Sequence, residues 1–166
     1  MVTAEQLYEK LKDIHVGNPV CQFTKENCEL LLPTIERIEK IKREKNAIIL
    51  AHNYIAPQIF YSVADYTGDS YGLSKNAKES DADIIVFVAV RFMAETAKIL
   101  NPKKIVLDPN PYGGCSLADG ITDADVISLR QQFPDHTFVC YINTTASVKA
   151  QCDVCVTSSN VYKIIE

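Results

Sequence analysis

The chain has 166 residues, of which 47% are hydrophobic and 23% charged; this is one average domain of ordinary globular composition and excludes a disordered tail or a fibrous repeat. The net charge is −4, from 17 Lys plus Arg against 21 Asp plus Glu, a field that repels nucleic-acid phosphates and acidic membrane surfaces and favours small-molecule chemistry. The longest apolar run, Ile84 to Val90, is far short of the roughly 18 residues a membrane span requires.

Met1 to Gln6 has neither a basic nor an apolar leader segment, so a cytoplasmic protein is expected. Thr3 and Gln6 form a capping box, and Leu7, Leu11 and Ile14 share one helical face. After a Gly17 to Pro19 break, a second helix carries Ile35, Ile38 and Ile41 and closes in the run Lys40 to Lys45. That run mixes both signs and reads as a solvated helix end. Residues 1–46 are thus a helical preface to the first domain.

From Asn46 the pattern changes to short β-rich runs at 47–51, 84–90, 105–107, 137–142 and 154–157, separated by helical stretches. Pro57 opens a helix that Gly68 is expected to end, Asn101-Pro102 stops the helix over 91–100, and Thr122 with Asp125 opens another. Strands alternating with helices predict an α/β fold, a three-layer αβα sandwich around a parallel sheet. Residues 46–54 and 136–144 are weak internal copies, as are 83–90 and 153–160. The expected division is a first α/β domain over 47–107 and an incomplete second one over 108–166.

In parallel α/β sheets ligands bind beyond the carboxyl ends of the strands. Those tips carry His52-Asn53-Tyr54, Arg91-Phe92-Met93, the Asp108 to Cys115 loop, Tyr141-Ile142-Asn143 and Ser158-Ser159-Asn160. An imidazole, a phenol, amides and hydroxyls suit a small dicarboxylate. His52 is a candidate general acid or base, whereas His15 and His136 fall in loops and read as surface residues. Ser70 sits at a helix start, where either an N-cap or an anion site explains Asp69-Ser70.

Six cysteines are too few for a disulfide scaffold. Cys115 follows two prolines and two glycines and precedes Ser116, a rigid delivery that favours a thiolate ligand or nucleophile. Cys152 and Cys155 have CxxC spacing, but the pair straddles a helix end and a strand and reads as structural. Cys21, Cys28 and Cys140 read as packing residues.

Six ordered motifs resemble the quinolinate synthase family: Ile-Leu-Ala-His-Asn-Tyr at 49–54, Val-Ala-Asp-Tyr-Thr-Gly-Asp-Ser at 63–70, Phe-Met-Ala-Glu-Thr-Ala-Lys-Ile-Leu at 92–100, Gly-Cys-Ser-Leu-Ala-Asp at 114–119, Tyr-Ile-Asn-Thr at 141–144 and Thr-Ser-Ser-Asn at 157–160. The resemblance implies a transferase of NAD biosynthesis that condenses iminoaspartate (iminosuccinate) with dihydroxyacetone phosphate to quinolinate. It implies three α/β sandwich domains in pseudo-threefold arrangement around a 4Fe-4S cluster, whose open iron acts as a Lewis acid. By the same resemblance Cys115 is the first cluster ligand. His52, Ser70, Tyr141, Asn143 and Ser158 hold the dicarboxylate, Met93 lines the pocket, and Tyr54 and His52 move protons.

The chain departs from the family at Ala89, where glycine is usual, and its extent matches the first domain and the opening of the second. The family's other two cluster cysteines are absent from it. The expectation is therefore an N-terminal portion that is catalytic when a complementing chain supplies the missing domains. The alternatives are a non-catalytic dicarboxylate-binding module, or an inactive fragment lacking two cluster ligands.

Overall fold

A computed structural model describes residues 2–16 and 23–166. The Gly17 to Pro19 break and Cys21 lie outside the described residues. Helix α1 (Ala4–Leu11) opens with the capping box: the Gln6 amide donates to Thr3 Oγ1 at 3.2 Å and the Thr3 amide to Gln6 Oε1 at 3.0 Å. Its Leu7 and Leu11 are fully buried. They meet Cys28 and Ile35 of α2 (Lys25–Glu44).

The far end of α2 differs from expectation. Ile41 is exposed, whereas Lys42 keeps only 9% of its surface. At 3.6 residues per turn, Lys42 lies about two turns beyond Ile35 and shares its buried face, while Ile41 is rotated away by about a third of a turn. The ammonium is answered on every side, by Glu39 Oε1 at 2.7 Å, the Val63 carbonyl at 2.8 Å and Asp65 Oδ1 at 2.8 Å. The charged run is thus solvated except at this one position.

Four strands, β1 (Ala47–His52), β2 (Tyr66–Gly68), β3 (Ile84–Val88) and β4 (Ile105–Leu107), form a wholly parallel sheet in the order β2-β1-β3-β4. Period-two alternation sends β1 and β3 residues to opposite faces. Ile49, Val86 and Val88 pack toward α1 and α2; Ile48, Leu50, Ile85 and Phe87 pack against α4 (Ser70–Glu79) and α5 (Arg91–Leu100). Helices cover both faces, which makes the αβα sandwich.

The helix expected from Pro57 to Gly68 is only one turn, α3 (Pro57–Phe60). The chain then extends into the edge strand β2, because Asp65 is claimed by β1: its Oδ2 accepts the Ile49 amide at 2.7 Å and its own amide donates to the Ile49 carbonyl at 2.9 Å. Gly68 pairs with His52 at the end of that strand instead of capping a helix. Three residues are too few to show alternation, so this strand has no periodic signature.

A second, two-stranded parallel sheet pairs β5 (Val139–Tyr141) with β6 (Val154–Val156). It carries α6 (Asp123–Gln132), which Thr122 and Asp125 open with a capping box as expected, together with α7 (Ala146–Ala150) and α8 (Val161–Ile165). Two polar links hold this unit to α5. The Ala146 amide donates to Glu95 Oε2 at 2.7 Å, and Lys149 Nζ to Thr96 Oγ1 at 2.8 Å. Among the described residues no helix is long and apolar enough to cross a membrane.

Removing one partner of a buried ion pair leaves the other uncompensated. About a third of the Asp65 side chain (32%) is still exposed, so solvent screening brings the cost down. Asp65→Ala is expected to destabilise the chain by roughly 2 kcal/mol. Urea denaturation reads this as a lower midpoint at unchanged slope.

Candidate functional site

In the strand order β2-β1-β3-β4 the chain departs from β1 toward β2 on one side and reaches β3 on the other. The crevice beyond the carboxyl ends of β1 and β3 is therefore the topological switch point, where open α/β sheets bind ligands. His52 is the last residue of β1 and Val90 the N-cap of α5 after β3. Tyr54 spans the gap between them. Its hydroxyl accepts the Val90 amide at 3.2 Å and donates to Met93 Sδ at 3.6 Å.

The His52 and Tyr54 rings lie 4.0 Å apart, tilted by 37°. His52 Nδ1 is buried and has no hydrogen-bond partner. Burial lowers the His52 pKa below the usual 6.5, and the facing Asp69 carboxylate opposes this only in part. Burial raises the Tyr54 pKa above its usual 10.0, against the Val90 amide, which stabilises the phenolate; the nearby Cys115 thiol adds to the rise. At neutral pH the site thus holds an uncharged imidazole with a free nitrogen and a protonated phenol.

Cys115 arrives at the same crevice on a turn that its own sequence builds. The Asn110 amide donates to Asp108 Oδ1 at 2.9 Å, Gly113 N–H to the Asn110 carbonyl at 2.8 Å, and Arg91 N–H to the Gly113 carbonyl at 2.9 Å. Asp119, which the sequence reading assigned no role, accepts the Cys115 amide at 3.0 Å. A Cβ on Gly114 would come within 2.6 Å of that carboxylate. The legible signal was an Asp four residues after Cys115 and five after the second glycine.

Not every candidate converges. His52, Tyr54, Met93 and Cys115 are brought together, and Asn143 shares with Met93 a cleft of about 240 Å³ between α5 and the second sheet. Tyr141 and Ser158 are exposed at the tips of that sheet, with no contact to the His52 group among the bonds described. Ser70 is the first residue of α4, directly after the N-cap Asp69, whose Oδ1 accepts the Gly72 amide at 2.8 Å. His15 and His136 are exposed, as expected.

A parallel sheet between two layers of helices, with polar groups gathered at its switch point, defines a protein of the αβα sandwich class. The family model described as NadA, Quinolinate synthetase A protein, matches residues 36–166, and the chain belongs to that family. Its curated relatives include proteins named quinolinate synthase. That of Aquifex aeolicus (strain VF5) is 54% identical over 145 residues, covering 87% of this chain and 44% of that protein. That of Sinorhizobium medicae (strain WSM419) is 47% identical over 162 residues, covering 98% and 43%, and that of Caulobacter vibrioides (strain NA1000 / CB15N) is 53% identical over 134 residues, covering 81% and 36%. The chain thus spans less than half the length of each of these three relatives.

Two measurements check the site. His52 binds its proton less tightly in the folded chain than in the unfolded one. Above about pH 7 both states are neutral there and the effect vanishes; as pH falls through 6.5 the unfolded chain takes up the proton first, and stability declines. His52→Gln is expected to flatten that part of the stability profile. Gly114→Ala displaces Asp119 from the Cys115 amide, and a drop of about 1 kcal/mol in thermal stability is expected.

Proposed function

We propose that the whole protein condenses iminoaspartate with dihydroxyacetone phosphate to quinolinate, in the biosynthesis of NAD, and that this chain supplies the wall that holds the dicarboxylate and moves protons. The observation that carries this reading is the Tyr54 hydroxyl suspended between the β1 and β3 tips, beside an imidazole whose buried Nδ1 has no partner. An orphaned buried nitrogen costs free energy unless a ligand answers it.

Because burial keeps His52 neutral, its imidazole takes the proton that is released when the new bonds form. Tyr54, held protonated, gives a proton to the departing oxygen. Of the donors, His52 and Asn143 flank Met93; Tyr141, Ser158 and Ser70 are the further donors that the family resemblance assigns to the dicarboxylate. Met93 and Phe92 close the apolar side and exclude water.

Cys115 is the residue whose sulfur is suited to bond an iron at this crevice. Among the described residues no three His, Cys, Asp or Glu side chains are grouped so as to hold a metal ion. Since a 4Fe-4S cluster takes several thiolates, these residues do not make the cluster site by themselves. The same observation favours a second reading, a dicarboxylate-binding module without catalysis.

Calorimetric titration of malate into the metal-free chain is expected to give a saturable heat, weakened at least ~10-fold by His52→Ala through loss of a bond to a charged group. A flat titration would remove the dicarboxylate reading altogether. Anaerobic reconstitution with iron and sulfide, mixed with a chain carrying the remaining segments of the relatives, is expected to produce quinolinate. Malate binding without product in that mixture would select the non-catalytic module.

A further inference from the structure

The two strands of the small sheet pair Cys140 with Cys155 in parallel register. Paired residues on neighbouring strands project to the same face, with backbones about 4.8 Å apart, inside the roughly 4.4–6.8 Å between Cα atoms that a disulfide spans. The two Sγ atoms lie 3.3 Å apart, and both thiols are free. Sulfur need move only about 1.3 Å to reach bonding distance, which side-chain rotation can supply.

The pair is asymmetric. Cys140 keeps 9% of its surface, while Cys155 is exposed and lines the cleft of about 240 Å³ beside Asn143 and Lys149. The Lys149 ammonium interacts electrostatically with both sulfurs. A thiol serving only to fill space does not need a second thiol opposite it, least of all an exposed one. Packing alone, which is how the sequence reads these residues, leaves the register match unexplained.

We propose that Cys140 and Cys155 are a reversible dithiol pair, closed and reopened by exchange with low-molecular-weight disulfides and thiols of the glutathione class. The accessible Cys155 thiolate attacks one sulfur of the small disulfide; a new S–S bond forms and one thiolate leaves. Cys140 then gives up its proton to solvent and attacks Cys155 Sγ, releasing the second thiolate. The protein loses two electrons and two protons, and the small disulfide gains both and becomes two thiols.

The second step is the slow one. Burial first, then the neighbouring Cys155 and Cys152 thiols, push the Cys140 pKa up to about 12, so its thiolate is scarce at neutral pH. The mixed disulfide on Cys155 is therefore a transient that should be seen before the bridge. Nothing in this inference depends on the substrate assigned above, and it stands or falls separately.

The test treats the reduced full chain with oxidised glutathione, blocks the remaining thiols by alkylation and maps the peptides by mass spectrometry. The expected result is a peptide linking Cys140 to Cys155, two alkylatable thiols fewer, and full reversal by dithiothreitol. Cys152→Ser should retain the link. Cys155→Ser, a change at an exposed position, should lose it while unfolding at the wild-type temperature in the reduced state. A bridge through Cys152, or glutathione that stays on Cys155 without resolving, would overturn the proposal, and both are read from the wild-type map.

Discussion

The buried ammonium of Lys42 is the constraint on which the first sheet depends. A charge so nearly removed from water must be met by acceptors, and those acceptors come from three places: Glu39 one turn back, the Val63 carbonyl and the Asp65 carboxylate. The second Asp65 oxygen takes the Ile49 amide in the middle of β1. One lysine therefore fixes the segment between α3 and β2 against β1, and with it the register that sets Gly68 opposite His52. The Asn53 amide then reaches the Gly68 carbonyl at 3.2 Å, which closes the turn carrying Tyr54 toward β3.

The same interaction explains what the residues alone could and could not reveal. Signals confined to a few neighbours were readable: the boxes Thr3/Gln6 and Thr122/Asp125, the Asn101 stop, and the apolar runs of β1 and β3. Lys42 and β2 were not, and they are one fact seen from both ends. A lysine within a charged run looks solvated until Asp65, 23 positions later, is known to meet it. A three-residue strand looks like a helix end until β1 claims its neighbour.

The site follows the same rule. His52, Tyr54, Met93 and Cys115 come from three strand-to-helix junctions, and the sequence places each of them at a strand tip. Their contacts were not, since the Tyr54 hydroxyl meets Val90 and Met93 only after β1 and β3 pair in the register Ala51 to Val88. The opposite pKa shifts of His52 and Tyr54 come from one cause, burial. It disfavours the charged form of each group, the cation of one and the anion of the other. A crevice lined by an uncharged imidazole and a protonated phenol results.

Helix α5 ties these parts together. One of its faces buries Phe92, Met93, Ala94 and Ala97 against the first sheet. Its Glu95 holds the start of α7, and Thr96 Oγ1 accepts a hydrogen bond from Lys149. Lys149 also donates to the Thr144 carbonyl at 2.8 Å, so the loop between β5 and α7 is anchored from the same ammonium. Asn143 lies in that loop, between Ile142, whose amide donates to the Val156 carbonyl of β6 at 2.8 Å, and Thr144, which Lys149 holds. A shift of α5 would thus reach the Tyr54 hydroxyl through Met93, and Asn143 through Lys149. One ten-residue helix touches both the turn that carries Tyr54 and the loop that carries Asn143.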